Sequence, residues 1–366
     1  MRKVLSVLMP LEWLVVIFGV LALGLYYLLE LPLPNLYAAL NLPLPHLSSA
    51  EAASGSTQDV ASASSATVKF LLPFLLLFTL SIENYAFILL VFFAWSGLEV
   101  LLGRGGDRGR VSWARFGSSV LGRVSLAQIF QDFRFLSAMV LVFAEFAVLK
   151  NLTPRVNSVS WDSWLVESDK LLCGGKMCSE ILLGWFGVAA LDAISDHYIF
   201  FLRYVSLVAT FFVVAAPRRT SQQFLFAITA AYLFGILWVY GMPSTGPTFV
   251  NKELYAFLAD HKIGKLQQGL LVSQNEVYLI SGLPSLHVAI VMIGSIFLWK
   301  ISRLLGAASW VFFVLTLNST VYLGWHYLLD DVAAIFLALA VVWLAKRCAW
   351  EWRGFSSQGL FLGLKD

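Results

Sequence analysis

Two histidines and a carboxylate carry the chemistry that this sequence can offer. His287 stands in Gly282-Leu283-Pro284-Ser285-Leu286-His287, and His326 in Trp325-His326-Tyr327-Leu328-Leu329-Asp330, each beside a long apolar run. Imidazole is the side chain that can act as nucleophile, acid or base near neutral pH. A carboxylate accepting from one ring nitrogen leaves the other free to attack. Asp330, four residues after His326, shares its face if the segment is helical. Asp331 points about 100° away from that face, so Asp330 is the expected partner. Pro284 suits the first turn of a helix, where its missing N–H has no partner to lose. A helix beginning there leaves the N–H groups of Ser285 and Leu286, with the Ser285 hydroxyl, able to hold an anion such as phosphate. Gly282 lets the backbone come close. A single interfacial histidine is most often only a polar helix end. Two could instead ligate haem or a metal, yet no third ligand or second pair stands at matching depth.

Spacing supplies the elements that would bring these groups together. His287 and His326 are 39 residues apart. A helix crosses a bilayer in about 20 residues, so one crossing inward and one outward return the chain to the same face. Lys300-Ile301-Ser302-Arg303 provides the turn between them.

Composition agrees that lipid is the solvent for most of this chain. Of 366 residues, 59% are hydrophobic and 13% charged, with a mean hydropathy of +0.78. A soluble domain cannot hide that much apolar surface. No alternating ten-residue segments mark a barrel, and a net charge of +3 gives no argument for nucleic acid. The expected fold is all-α and polytopic. About eight spans fall at roughly 11–29, 70–102, 134–150, 197–216, 223–241, 284–299, 307–325 and 331–346, the last six forming a catalytic bundle. Residues 1–132 read as an N-terminal membrane region, 133–350 as the catalytic membrane domain and 351–366 as a tail. The first span, behind Arg2 and Lys3, reads as a retained signal anchor. The second run, which contains Glu83, is long enough for one tilted helix or a broken pair.

Taking that run as one span, sixteen Lys and Arg lie on the side of the N-terminus and eight on the other; with Arg203 inside a span, these make up the 25 basic residues. The positive-inside rule then puts both termini in the cytoplasm and the two histidines on the extracytoplasmic side. The Ser/Ala-rich stretch 48–66 reads as a flexible outer loop and 103–132 as a basic cytoplasmic loop. The outer segment 151–196 carries Trp161, Trp164 and Trp185, suited to the membrane interface. Its Cys173 and Cys178 could pair in an oxidising exterior, while Cys348 stands on the cytoplasmic side. Glu83 and Glu145 are intramembrane acids assigned to packing or hydrogen bonding.

Gly-Leu-Pro-Ser-Leu-His followed by His-Tyr-Leu-Leu-Asp resembles the type 2 phosphatidic acid phosphatase superfamily, in particular its inositol phosphorylceramide synthase-like branch. Pro243-Ser244-Thr245-Gly246-Pro247 and Asp169-Lys170-Leu171-Leu172-Cys173-Gly174-Gly175 are similar to segments of that branch. The resemblance covers roughly 150–346; residues 1–130 carry no matching motif. It implies that His326 is a nucleophile forming a phosphohistidine, that Asp330 orients it, and that His287 protonates the leaving alcohol and then deprotonates the acceptor. Gly246 and Pro247 would join Ser285 and Gly282 near the phosphate.

The chain departs from the phosphatase pattern in two cations. It has no Lys-x6-Arg-Pro motif, and Thr320 stands where an arginine is often found. Arg203, about two turns inside its span, is the candidate to hold the phosphate, or else a structural partner of Asp196 or Asp192. Lys252, Lys262, Lys265 and His197 are weaker candidates.

The expected function is transfer of a phospho-head group from a phospholipid to a lipid hydroxyl such as a ceramide-like acceptor. A lipid phosphatase acting on phosphatidate or a polyprenyl (pyro)phosphate is the alternative, and a haem carrier or lipid-binding scaffold the non-enzymatic one. Neither metal nor cofactor is expected, since histidine supplies both nucleophile and acid.

Overall fold

The structure is a computed structural model. It describes residues 137–139, 141–143, 145–146, 149–150, 153, 157–214, 216–265 and 281–347. The spans 11–29 and 70–102, the loops 48–66 and 103–132, Glu83, Cys348 and the tail 351–366 lie outside these residues.

The described chain is almost wholly helical. Two short helices, α1 (Asp162–Leu172) and α2 (Cys178–Phe186), precede the long α3 (Leu191–Val214) and α4 (Arg218–Gly241). After α4 come strand β1 (Pro243–Ser244), the single turn α5 (Pro247–Val250) and strand β2 (Ser281–Gly282). Then follow α6 (Leu286–Ile301), α7 (Arg303–Tyr322) and α8 (Leu328–Arg347). By length and composition, four stretches can cross a membrane: Val188–Val213, Arg219–Gly241, Arg303–Tyr322 and Leu328–Arg347. With the shorter apolar Leu286–Ile301, they account for five of the six expected C-terminal spans. The described residues between 137 and 150 are helical and lie in the remaining expected run.

Helix α6 is the centre of this arrangement and packs against α3, α4, α7 and α8. Its sequence explains why. Val288 to Ile293, Phe297 and Leu298 are buried without a polar stripe, and a helix apolar all round belongs inside a bundle. Small residues let its neighbours approach: a Cβ on Gly294 would sit 2.7 Å from the Tyr204 hydroxyl of α3. Tyr204 Oη is 2.6 Å from Ser309 Oγ, itself 2.7 Å from Ser295 Oγ, so one hydroxyl chain joins α3, α7 and α6.

The helix ends differ from the sequence expectation in ways that matter for the site. Pro284 precedes α6 rather than occupying its first turn; the Leu283–Pro284 bond is cis and Ser285 is the N-cap. His326 lies in the turn between α7 and α8, not on a helix with Asp330. That turn needs a left-handed residue, and Gly324 supplies it with φ +69°. Its Cβ position is also filled by Thr248 and Tyr255, so no larger residue fits.

Candidate active site

Backbone pairing assembles the site before any side chain is considered. β1 and β2 pair antiparallel, Pro243 opposite Gly282 and Ser244 opposite Ser281. Gly282 is needed there because a Cβ would come within 2.6 Å of Val239 on α4. The Ser285 N–H then donates to the Asp330 carbonyl at 3.0 Å, joining the two histidine segments directly. Ser285 was expected to offer that N–H to an anion; it is engaged, because the first turn of α8 lies against the start of α6. Its hydroxyl is buried beside the Asp331 carboxylate.

His326 is held from three sides. Its N–H and that of Trp325 donate to the Thr320 carbonyl at 3.2 and 3.0 Å. Asp330 Oδ2 lies 3.2 Å from its Nδ1 and also accepts the Tyr327 N–H at 3.0 Å. A carboxylate can only accept, so Nδ1 carries the hydrogen and Nε2 keeps its lone pair. Asp330 and His326 therefore meet as expected, but through the first turn of α8 rather than by i,i+4 helical spacing. Asp331 points elsewhere and accepts from the Thr320 hydroxyl at 2.8 Å. Thr320 thus braces the turn through its carbonyl and its hydroxyl.

The second ring is close by. The centroids of His287 and His326 are 5.8 Å apart. Aromatic groups surround His287: Phe201 at 4.4 Å, and Tyr198 at 5.0 Å with its Oη 3.2 Å from Nε2. Tyr198 is in turn stacked on Trp325 at 5.6 Å. These aromatics were not singled out beforehand. Tyr198, Phe201 and Tyr204 recur at helical spacing on one face of α3, a signal indistinguishable in sequence from ordinary packing.

The Pro-Ser-Thr-Gly-Pro segment is near the site as a brace. The N–H groups of Thr245 and Gly246 both donate to Asp162, at 2.9 and 3.1 Å, so Gly246 does not offer its N–H to a phosphate. Pro247, buried at the start of α5, has no N–H to offer. From α5 the Thr248 hydroxyl donates to the Gly324 carbonyl at 2.8 Å, steadying the turn that carries His326.

Arg203 is not at the site. It is exposed on α3, away from the face that bears Tyr198 and Phe201. Nor does it pair as expected: Asp196 lies 3.7 Å from Lys262, and Asp192 lies 3.2 Å from His261. Lys252, Lys262 and Lys265 are exposed. His197 turns toward α7, with its Nε2 3.1 Å from Thr316 Oγ1 and its ring on Phe312. The described cation whose charge bears on His287 is Lys150. Its neighbour Leu149 is tied to the C-terminal end of α4, accepting from Tyr240 Oη at 2.6 Å.

Outside the spans, Asp162 and Asp169 of α1 are the groups that sequence reasoning undervalued. Asp162 accepts from Thr245, Gly246 and the Tyr327 hydroxyl, the last at 2.9 Å. Burial, then the Asp162 carboxylate beside it, pushes the Tyr327 phenol well above its ordinary value. Burial likewise raises Asp169, against N–H groups that favour its charge. Cys173 and Cys178 form a disulfide. No group of three or more His, Cys, Asp or Glu able to hold a metal occurs among the described residues.

With this geometry in place, comparison with known proteins is informative at the level of family. Residues 185–344, from the end of α2 almost to the end of α8, match the model of the PAP2 superfamily. No curated protein and no solved structure matches the chain.

Proposed function

We propose that this chain is a membrane phosphotransferase that moves a phosphate-linked head group from a phospholipid to a lipid hydroxyl, ceramide-like in kind, at the extracytoplasmic face. The match to the PAP2 superfamily supports phosphatase or phosphotransferase chemistry. The observation that carries the mechanism is the Asp330–His326 contact with the His287 ring 5.8 Å away. His326 Nε2 attacks phosphorus; the bond from phosphorus to the glyceride oxygen breaks, and His287 gives that oxygen its proton. The acceptor hydroxyl then passes its proton to His287 as its oxygen displaces Nε2, and the ring is regenerated. Aromatic walls from Tyr198, Phe201 and Trp325 favour an alcohol over water as the second acceptor. Lys150 is the cation assigned to the phosphate, in place of Arg203.

Purified protein given a phospholipid with labelled head group and a ceramide-like acceptor should yield a new labelled phospholipid and diacylglycerol. Release of free head-group phosphate alone, with or without the acceptor, would overturn transfer and leave hydrolysis of a lipid phosphate as the activity.

A further inference from the structure

Helix α1 is built the wrong way round for an amphipathic helix. Its buried face is Asp162, Leu165 and Asp169, while Trp164, Leu171 and Leu172 are exposed. Seven residues separate the two acids, which is about two turns, so both carboxylates project from one side. Burying two carboxylates is costly unless each is supplied with donors. Those donors come from the Pro-Ser-Thr-Gly-Pro segment, the start of α2 and the two residues that follow His326. Asp162 takes Thr245, Gly246 and the Tyr327 hydroxyl. Asp169 Oδ1 takes the Leu328 N–H at 2.9 Å, and its Oδ2 takes the Cys178 N–H at 2.8 Å.

The Leu328 N–H is one of the unpaired donors at the start of α8. It lies one peptide from Tyr327, whose own N–H is held by Asp330, and two residues from Asp330 itself. The other oxygen of Asp169 is anchored in a closed loop: Cys173 N–H donates to the Asp169 carbonyl, and the disulfide ties Cys173 to Cys178. Asp169 is therefore held on one side by a covalent staple and holds the start of α8 on the other.

We infer that Asp169 is a positioning residue for the nucleophile: by accepting the Leu328 N–H it sets the first turn of α8, and so the Asp330 carboxylate that orients His326. This rests on the reading of His326 as nucleophile. The role is distinct from docking α1, which Asp162 and Leu165 also serve.

The test is a double-mutant cycle on kcat and KM in the purified full chain. Asp169→Ala should lower kcat about 10–100-fold, as misplacement of a catalytic group by a fraction of an ångström does, with KM within about threefold. Asp169→Asn, which keeps one acceptor oxygen, should recover part of that loss. Leu328→Pro removes the same N–H from the other side, at a first-turn position where proline is tolerated, and should lower kcat comparably. The double variant should be no worse than either single one. If Asp169→Ala fails to fold, Leu328→Pro beside wild type carries the same prediction alone. An unchanged kcat in folded Asp169→Ala or Leu328→Pro, or fully additive losses, would overturn the inference. His326→Ala run in parallel separates the two claims: its retention of turnover defeats the nucleophile assignment, whereas its inactivity beside an unaffected Leu328→Pro defeats only the role of Asp169.

Discussion

His326 and His287 differ in what their neighbours allow them to do. His326 is buried, with Nδ1 committed to Asp330, so only Nε2 is available. His287 is half-buried, and its Nε2 faces the Tyr198 hydroxyl, an oxygen of the kind a substrate alcohol would present. From this division of labour, His287→Ala should lower kcat about 10²–10⁴-fold, the usual worth of a general acid. Asp330→Asn should lower it about 10⁴-fold by disturbing the His326 tautomer; steady-state kinetics on folded protein checks both. Lys150→Met, at the cation assigned to the phosphate, should raise KM, while Arg203→Met should leave kcat/KM within about twofold, because Arg203 is exposed away from the face of α3 that meets His287. At this scale the sequence was readable where chemistry is rare. Two interfacial histidines with a nearby carboxylate have few structural explanations together. Arg203 misled because a cation inside an apolar run looks costly, and sequence alone does not say which face of α3 it occupies. Asp162 escaped notice because a carboxylate beside tryptophans reads as a polar rim.

Between the helices the chain relies on short, tightly packed joints, and these were the least legible part. Four helices long and apolar enough to cross a membrane, and the shorter apolar Leu286–Ile301, fall on expected apolar runs with ends shifted by a few residues. The shifts have causes. α7 stops at Tyr322 because Gly324 turns the chain left-handed under Thr248 and Tyr255, and α8 begins only at Leu328, so His326 sits between helices. No periodicity encodes that turn; it depends on contact with a segment some 75 residues away. Gly324→Ala should therefore cost more than the about 1 kcal/mol of an ordinary left-handed position, since the methyl group also meets Thr248 and Tyr255. Thermal unfolding in detergent, with activity at permissive temperature, measures it. Tyr327→Phe should cost about 1–3 kcal/mol by leaving a buried carboxylate short of a donor, and the same melting experiment reads the shift.

Seen whole, the described molecule places its candidate chemistry at one end of the bundle and Lys300, Arg303, Lys346 and Arg347 at the other. His287 opens α6 and Lys300 closes it, Arg303 begins the return, and Arg347 ends α8, with Lys300 near enough to feel Lys346. Arginine and lysine there lie over Trp299, Phe297 and Trp343, as side chains do at a membrane interface. The disulfide at the other end suits an oxidising compartment. A cysteine at Glu167 should accordingly react with an impermeant maleimide on right-side-out vesicles, and one at Ser302 only after permeabilisation; the reverse pattern would invert the proposed topology. The most direct test of the account is the covalent intermediate. Protein incubated with phospholipid labelled at phosphorus, quenched and digested, should carry an acid-labile, base-stable label on the peptide containing His326, and His326→Ala should carry none. A wild-type enzyme that turns over without labelling that peptide, or a label retained in His326→Ala, would contradict it.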